Sequence, residues 1–368
     1  MTTRRLCCYL EPTGFGGSEQ WLGFLLGGID ARYEVELVTT DEDIAREIAR
    51  ARPGTVVRAV PQVERKFDVG AIRAHRQAFA QARPDLTLVS HGQLYACQYG
   101  IVTAWPTRRP VVSVVHCVLP RTDALQAVLM RGASKLVTRF VGVSNAVAGA
   151  TEAELHLRPG SITVIHNGVP EPGPMALAPA AGERARPVLG CVGRLTDEKG
   201  YDVALRALVQ LPDCELVILG EGARLGELQQ LAASLGVLGR VHFEGAVPWP
   251  WAEHRRFDVL LVPSRYEGFG LVVVEAMLAG IPVVATNVAG LAEVVTDEKT
   301  GLLVDPDRPE QLAWATRRML DDAALRHEVA ARGREEARAR FGVAGMVAAY
   351  ESLFDELLGA GRQGRLTG

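Results

Sequence analysis

Residues 257–286 read FDVLLVPSRYEGFGLVVVEAMLAGIPVVAT. The runs DVLLVPS and IPVVAT are apolar at successive rather than alternate positions, the pattern of strands covered on both faces. Between them a glycine-containing turn leads into an apolar stretch whose pattern predicts a helix starting near Phe269. Strand, turn, buried helix and second strand, in that order, make one unit of a parallel, doubly covered sheet.

The same alternation runs outward in both directions. RRLCCYL, EVELVTT, DLTLVS, PVVSVVHCV and RFVGVS in the first half, then PVLGCVG, CELVILG and RVHFEG, alternate with alanine-rich, helix-like stretches. The fold class is α/β, and the rhythm predicts two Rossmann-like domains. Residues 171–185, EPGPMALAPAAGERA, have no periodicity and read as a linker. The expected organisation is an N-terminal domain over 1–172, a linker over 173–185, a C-terminal domain over 186–345, and a final helix over 346–368. That helix is expected to dock on the body of the protein, the N-terminal domain being one candidate partner. Ligands of such folds bind beyond the carboxyl ends of the strands, so a cleft between two facing domains is the expected site.

Composition narrows the class. With 368 residues, 48% hydrophobic and 23% charged, the chain can bury large cores, and a net charge of −3 supplies no basic field for nucleic acid. The six cysteines lie scattered in mostly apolar runs, without zinc or disulfide spacing, and are expected to be reduced core residues. The apolar run after Arg5 ends at Glu11, short for a signal peptide, and no stretch reaches the ~18 apolar residues of a membrane span. A cytoplasmic location is the expectation.

Glu267 and Glu275 are eight residues apart, about 12 Å if both lie along the helix. That span suits a nucleoside diphosphate sugar, with one carboxylate on a sugar hydroxyl and the other on the ribose. The amides of Gly268, Phe269, Gly270 and Leu271 would then face the diphosphate. Two glutamates can equally well cap and solvate a helix, but Glu275, between VVV and AMLAG, needs a partner or a function in apolar surroundings. GRLTDEKG, residues 193–200, follows another strand and offers Arg194 and Lys199 to a diphosphate, or two solvated surface charges.

Residues 13–20, TGFGGSEQ, join the first strand to a helix. Gly14 and Gly16 fit a dinucleotide fingerprint, but Glu19 stands where its third glycine belongs, which argues against NAD. Two readings remain: a plain turn capped by Thr13 or Ser18, or a loop whose Gly16 and Gly17 bring amides to an anion.

Taken together, GGSE, HNGV (166–169), GRLTDEKG, GEGARLGEL (220–228), the stretch quoted above and VAGLAEVV (288–295) resemble the retaining glycosyltransferases of family 4, which have the GT-B fold. The resemblance covers nearly the whole chain and is strongest from residue 186 to about 305. It implies that a nucleotide sugar, UDP- or GDP-linked, binds mainly to the C-terminal domain and a hydroxyl-bearing acceptor to the N-terminal one. It assigns Arg194 and Lys199 to the leaving diphosphate, Glu267 to donor-sugar hydroxyls, Glu275 to the ribose, and the amides of Gly16 and Gly17 to the phosphate region. His116 matches the histidine beside the donor sugar, although a histidine at a strand end is also an ordinary core residue. No cofactor is implied. Two Asp-x-Asp matches, DED at 41–43 and DPD at 305–307, read as helix caps rather than a metal motif, and with Arg194 and Lys199 present no metal is expected. Two departures stand out: Pro170 where many relatives carry aspartate, and VAGLAE in a loop that often ends in glycines and a glutamate, with Glu293 kept.

Acceptor candidates in the first half are Phe15, Gln20 and Trp21 beside the glycine turn, and His91, Gln93 and Tyr95 in HGQLYACQY. Aromatic and amide groups suit a sugar or cyclitol; core packing explains Trp21 and Tyr95 equally well. Arg131, Lys135 and Arg139 recur every fourth residue, either a solvated helix face or, less in keeping with only three charges, a membrane contact. Competing functions are a sugar-nucleotide epimerase of the same fold, which lacks the EGFGLVVVE arrangement, and a non-catalytic sugar-nucleotide-binding protein, which would carry a damaged site.

Overall fold

The structure, a computed structural model, describes residues 3–63, 68–119, 124–173, 186–247 and 254–363. The chain divides into two compact units: Met1–Gly168 with Val343–Gly368, and Val169–Gly342. The linker expected over 173–185 lies, apart from Gly173, outside the described residues.

The first unit is built on strands β1 (Arg4–Leu10), β2 (Tyr33–Thr39), β3 (Val56–Ala59), β4 (Leu86–His91), β5 (Val111–Val115), β6 (Arg139–Gly142) and β7 (Thr163–Val164). All pairings are parallel and the order is β3-β2-β1-β4-β5-β6-β7. Its helices are α1 (Gly17–Gly28), α2 (Glu42–Ala49), α3 (Val69–Ala82), α4 (Gln98–Ala104), α5 (Ala124–Ser134) and α6 (Asn145–Leu155).

The second unit contains β8 (Val188–Val192), β9 (Glu215–Leu219), β10 (Val241–Phe243), β11 (Val259–Val262), β12 (Val283–Thr286) and β13 (Leu302–Val304), again all parallel, in the order β10-β9-β8-β11-β12-β13. Its helices are α7 (Tyr201–Val209), α8 (Leu225–Ser234), α9 (Leu271–Ala279), α10 (Ala289–Val294), α11 (Pro309–Asp321) and α12 (Ala323–Phe341). In each sheet the strand order reverses once, between β1 and β4 and between β8 and β11, which opens a crevice at the carboxyl ends of those strands.

The central strands β4, β5 and β11 are buried at every position, which is why they read as unbroken apolar runs. β3, β7 and β13, absent from the sequence reading, are short strands at sheet edges, where an apolar run is not required. Asp41 caps α2 by accepting from the Ile44 amide, as read. DPD does not cap α11: Asp305 exchanges hydrogen bonds with Gln311, and Asp307 pairs with Arg265. Nor do Arg131, Lys135 and Arg139 share a helix, since α5 ends at Ser134 and Arg139 starts β6.

The last helix, α13 (Val343–Gln363), belongs to the first unit. Chain crossings fall at Gly168–Val169 and Gly342–Val343, slightly inside the expected boundaries, because Val169 donates to the Phe341 carbonyl (2.8 Å) and so joins the second unit. On α13, Tyr350 stacks edgewise on Trp21 at 5.5 Å and Phe354 on Tyr33 at 5.9 Å, while Arg32–Asp355 (2.9 Å) and Arg139–Glu356 (2.7 Å) lie at the rim. A side chain at Gly28 would place its Cβ 2.7 Å from Val347, so the two helices meet without clearance there. Phe354 is fully buried in this contact. Phe354→Ala is therefore expected to cost about 3–5 kcal/mol in the unfolding of the first unit, read by chemical denaturation; a loss below about 1 kcal/mol would show that α13 is not part of that core.

Candidate functional site

In the second unit the loops after β8 and β11 approach each other closely enough for backbone to meet backbone. Gly200, at φ +64°, would carry a Cβ 2.1 Å from the Pro263 carbonyl oxygen. A Cβ on Gly220 would stand 1.9 Å from the Gly193 oxygen, and one on Gly222 2.4 Å from the Leu195 oxygen. The Gly200 contact holds GRLTDEKG against PSRYEGFG, the Gly220 and Gly222 contacts hold it against the loop after β9, and Lys199 Nζ lies 2.6 Å from Glu267 Oε2, with Ser264 Oγ 3.5 Å from the same oxygen. Both side chains of the pair are partly buried. Arg194 is exposed, 3.7 Å from Glu198. Arg265, in the same loop, is clamped by both oxygens of Asp202 (2.9 and 2.8 Å) and by Asp307 (2.7 Å). The hydrogen bond to Asp202 raises the pKa of this guanidinium, and although burial opposes it, Arg265 in turn draws the Asp202 carboxyl down. Arg265 also donates its amide to the Glu198 carbonyl, tying the two loops again (2.8 Å).

The glutamates do not share a helix as expected. α9 begins at Leu271, so Glu267 sits in the loop before it and the 1.5 Å rise does not measure their separation. Glu275 is 1% exposed, and its Oε2 lies 3.3 Å from Nε2 of His254, a residue that sequence reasoning missed. Gly268, Phe269, Gly270 and Leu271 are buried, and the Phe269 ring packs edgewise on Phe341 at 5.3 Å. The VAGLAE departure has a structural role: Gly290 donates to the Glu267 carbonyl (3.2 Å), where a Cβ would come within 2.4 Å of that oxygen. The Glu293 carbonyl accepts from Arg340 (3.0 Å).

In the first unit, TGFGGSEQ lies after β1 at the strand-order reversal. Glu19 is a buried capping carboxylate, accepting from the Gly16 amide (3.0 Å) and from Ser18 Oγ (2.9 Å). The Gly16 amide, expected to face phosphate, is thus engaged within the turn. Gly17 is the first helical residue, where amides have no partner inside the helix. Ser18 Oγ lies 3.4 Å from where a Cβ of Gly92 would be, so HGQLYACQY packs beside the turn.

Two acceptor candidates are corrected. Trp21 is fully buried, its ring 4.6 Å from that of His116 and 5.5 Å from Tyr350. His91 is also fully buried: Nδ1–H donates to the Ala96 carbonyl (2.6 Å), leaving Nε2 to accept from Ser113 Oγ (2.9 Å). Both residues point inward because they belong to the core under the loops rather than to the loops themselves. Phe15 and Gln20 are half-buried and Gln93 is exposed, while the Tyr95 hydroxyl donates to Glu154 (2.5 Å). His116, at the end of β5, is 9% exposed with Nε2 3.4 Å from Ser90 Oγ. Burial, reinforced by His91, pushes its pKa down to about 3, and burial pushes that of His91 down to about 4. Ser90, Ser113, Ser264 and His254 had no signal in sequence; only strand ends hinted at the serines.

Thus one crevice gathers Arg194, Lys199, Ser264 and Glu267, and the other gathers Gly17, Ser18, Gly92 and His116. Residues 15–171 match the family described as Glycosyltransferase Family 4, and residues 180–336 match Glycosyl transferases group 1. The 2-deoxystreptamine glucosyltransferase of Streptomyces kanamyceticus is 31% identical over 301 residues, 74% of this chain and 77% of that protein. The D-inositol 3-phosphate glycosyltransferase of Mycolicibacterium gilvum is 41% identical over 177 residues, 44% of this chain and 39% of that protein. Anabaena Alr3699/HepE, solved in complex with UDP and glucose, superposes with a TM-score of 0.85 at 21% identity, over 96% of this chain and 100% of that one, a likeness of fold.

Neutral His91 and His116 have a pH signature. Their folded pKa values, about 4 and about 3, lie below the ordinary 6.5, so the unfolded chain binds protons the folded one does not between those limits. The associated stability is fully present above pH ~6.5 and is lost as the pH falls toward about 3. In an NMR titration both rings should keep constant shifts from pH ~8 to ~5; a midpoint near 6.5 for either would contradict the assignment.

Proposed function

The chain belongs to glycosyltransferase family 4, and on that premise we propose that it transfers a hexose from a UDP-linked donor to a hydroxyl of a polyhydroxylated small molecule, with retained anomeric configuration. One observation carries the reading: Lys199 and Glu267 stand 2.6 Å apart at the head of the second sheet, a cation and an anion already placed for the two charge types of a nucleotide sugar. In this reading Lys199 and the exposed Arg194 meet the diphosphate, Glu267 accepts from sugar hydroxyls, and Glu275 accepts from the ribose. Lys199 exchanges one anionic partner for another as the donor enters. Phosphate charge is stabilised most as the bond to the sugar breaks, which is where a preorganised cation lowers the barrier.

The sugar C1–oxygen bond to the diphosphate breaks, a bond from C1 to the acceptor oxygen forms on the same face, and the acceptor proton passes to the departing phosphate. No side-chain nucleophile is required. His116, held neutral by burial, serves as a hydrogen-bonding imidazole and not as a second cation. Gly17 supplies an amide on the donor phosphate side. Phe15, Gln20, Gln93 and Tyr95 remain the acceptor-side residues of the first unit. Support for uridine comes from the UDP and glucose bound by Alr3699/HepE, and support for a ring polyol from relatives named for 2-deoxystreptamine and inositol 3-phosphate.

Lys199→Ala and Glu267→Gln should each lower turnover of the best UDP-hexose by about 100-fold or more, measured as UDP release with a cyclitol acceptor; near-normal transfer by either variant would sink the assignment. We also propose that Arg194 and Lys199 make a divalent metal unnecessary. Turnover should persist in excess EDTA, and loss restored by magnesium would refute this. Thermal-shift comparison of UDP- and GDP-sugars tests the base, and an NMR coupling constant of the product tests retention.

A further inference from the structure

Glu275 is the one charged residue between Gly268 and Pro282, and its Oε2 is met by a residue from outside its helix. His254 precedes β11, is fully buried, and stacks edgewise on Phe257 with ring centres 6.0 Å apart. Its Nε2 lies 3.3 Å from Glu275 Oε2. A carboxylate accepts, so Nε2 carries the hydrogen. Nδ1 is buried and makes no hydrogen bond among the described residues. An interior polar atom without a partner is unfavourable, and an apolar ring at position 254 would avoid that cost. What a phenyl ring could not supply is the contact to Glu275.

We propose that His254 is a positioning residue for donor binding: by holding Oε2 of Glu275 it fixes the carboxylate in the rotamer in which its remaining lone pairs meet the ribose hydroxyls. The inference rests on the assignment of Glu275 to the ribose made above. A glutamate side chain has three rotatable bonds, and restraining them before the ligand arrives removes an ordering cost from binding. Two carboxylate oxygens offer about four acceptor positions, more than the contact to His254 uses. His254 pairs with Glu275 and Lys199 with Glu267, so the two contacts share no side chain.

The test compares His254→Phe, His254→Gln and His254→Asn in the full-length protein by calorimetry. The probes are UDP, GDP in parallel, and inorganic pyrophosphate, which has no ribose. Gln places an amide N–H near the position of Nε2, whereas Asn keeps a polar group in the interior but is too short to reach Glu275. The nucleotide that binds the unaltered protein should bind His254→Phe and His254→Asn about tenfold more weakly and His254→Gln within about threefold, with pyrophosphate affinity unchanged in all three. The Asn–Gln comparison stands if the Phe variant does not fold. Equal nucleotide affinity in the Asn and Gln variants, or a parallel loss of pyrophosphate affinity, overturns the proposal. Glu275→Gln separates it from the underlying reading. If that variant loses nucleotide affinity while the His254 variants do not, only the role of His254 fails; if it binds as the unaltered protein does, the ribose assignment fails as well.

Discussion

At the head of the second sheet, backbone approaches backbone so closely that Gly200, Gly220 and Gly222 have no room for a Cβ. Everything proposed for the site follows from that approach. Lys199 precedes the glycine that touches Pro263, and Glu267 lies four residues beyond that proline. A methyl group at Gly200 would push the two loops apart and draw the ammonium out of reach of the carboxylate. Arg265, held by the two carboxylates of Asp202 and Asp307, ties the same loop down from a second point. Such support is what keeps a charged pair in register when it must exchange partners.

His91 and His116 of the first unit and the charged loops around Lys199 of the second are in different electrostatic states. In the second, cations and carboxylates are partly exposed and paired, ready to trade one ionic partner for another. In the first, His91 and His116 are buried, held neutral by that burial, and each lies within reach of a serine hydroxyl, so they offer hydrogen bonds without adding charge.

How much of this was legible in the sequence depends on burial. β4, β5 and β11 are covered on both faces and announce themselves as apolar runs, while β3, β7 and β13 lie at edges where the requirement lapses. GRLTDEKG and EGFG were legible because their charges cluster next to strand ends. Trp21 and His91 were misplaced for a physical reason: the same letters follow a strand whether the side chain faces solvent or core, and only the packing of α13 and the Ser113 hydroxyl decide it. His254 was invisible because its partner is twenty-one residues away, and no local pattern encodes that pairing. Glu19 was legible in part: it excluded a dinucleotide turn correctly, yet its capping role also engages the Gly16 amide assigned to the ligand.

The first unit is discontinuous: its closing helix, α13, is separated in sequence from the rest by the whole of the second unit. During synthesis the ribosome therefore finishes the second unit before it delivers Tyr350 and Phe354, and until then Trp21 and Tyr33 lack the rings that α13 packs on them. The usual order, in which the N-terminal domain folds first, is reversed for the completion of this core. Any attempt to exchange the first unit between such enzymes must accordingly move two separate pieces of chain, because a transplant ending at Gly168 would arrive without the helix that closes it.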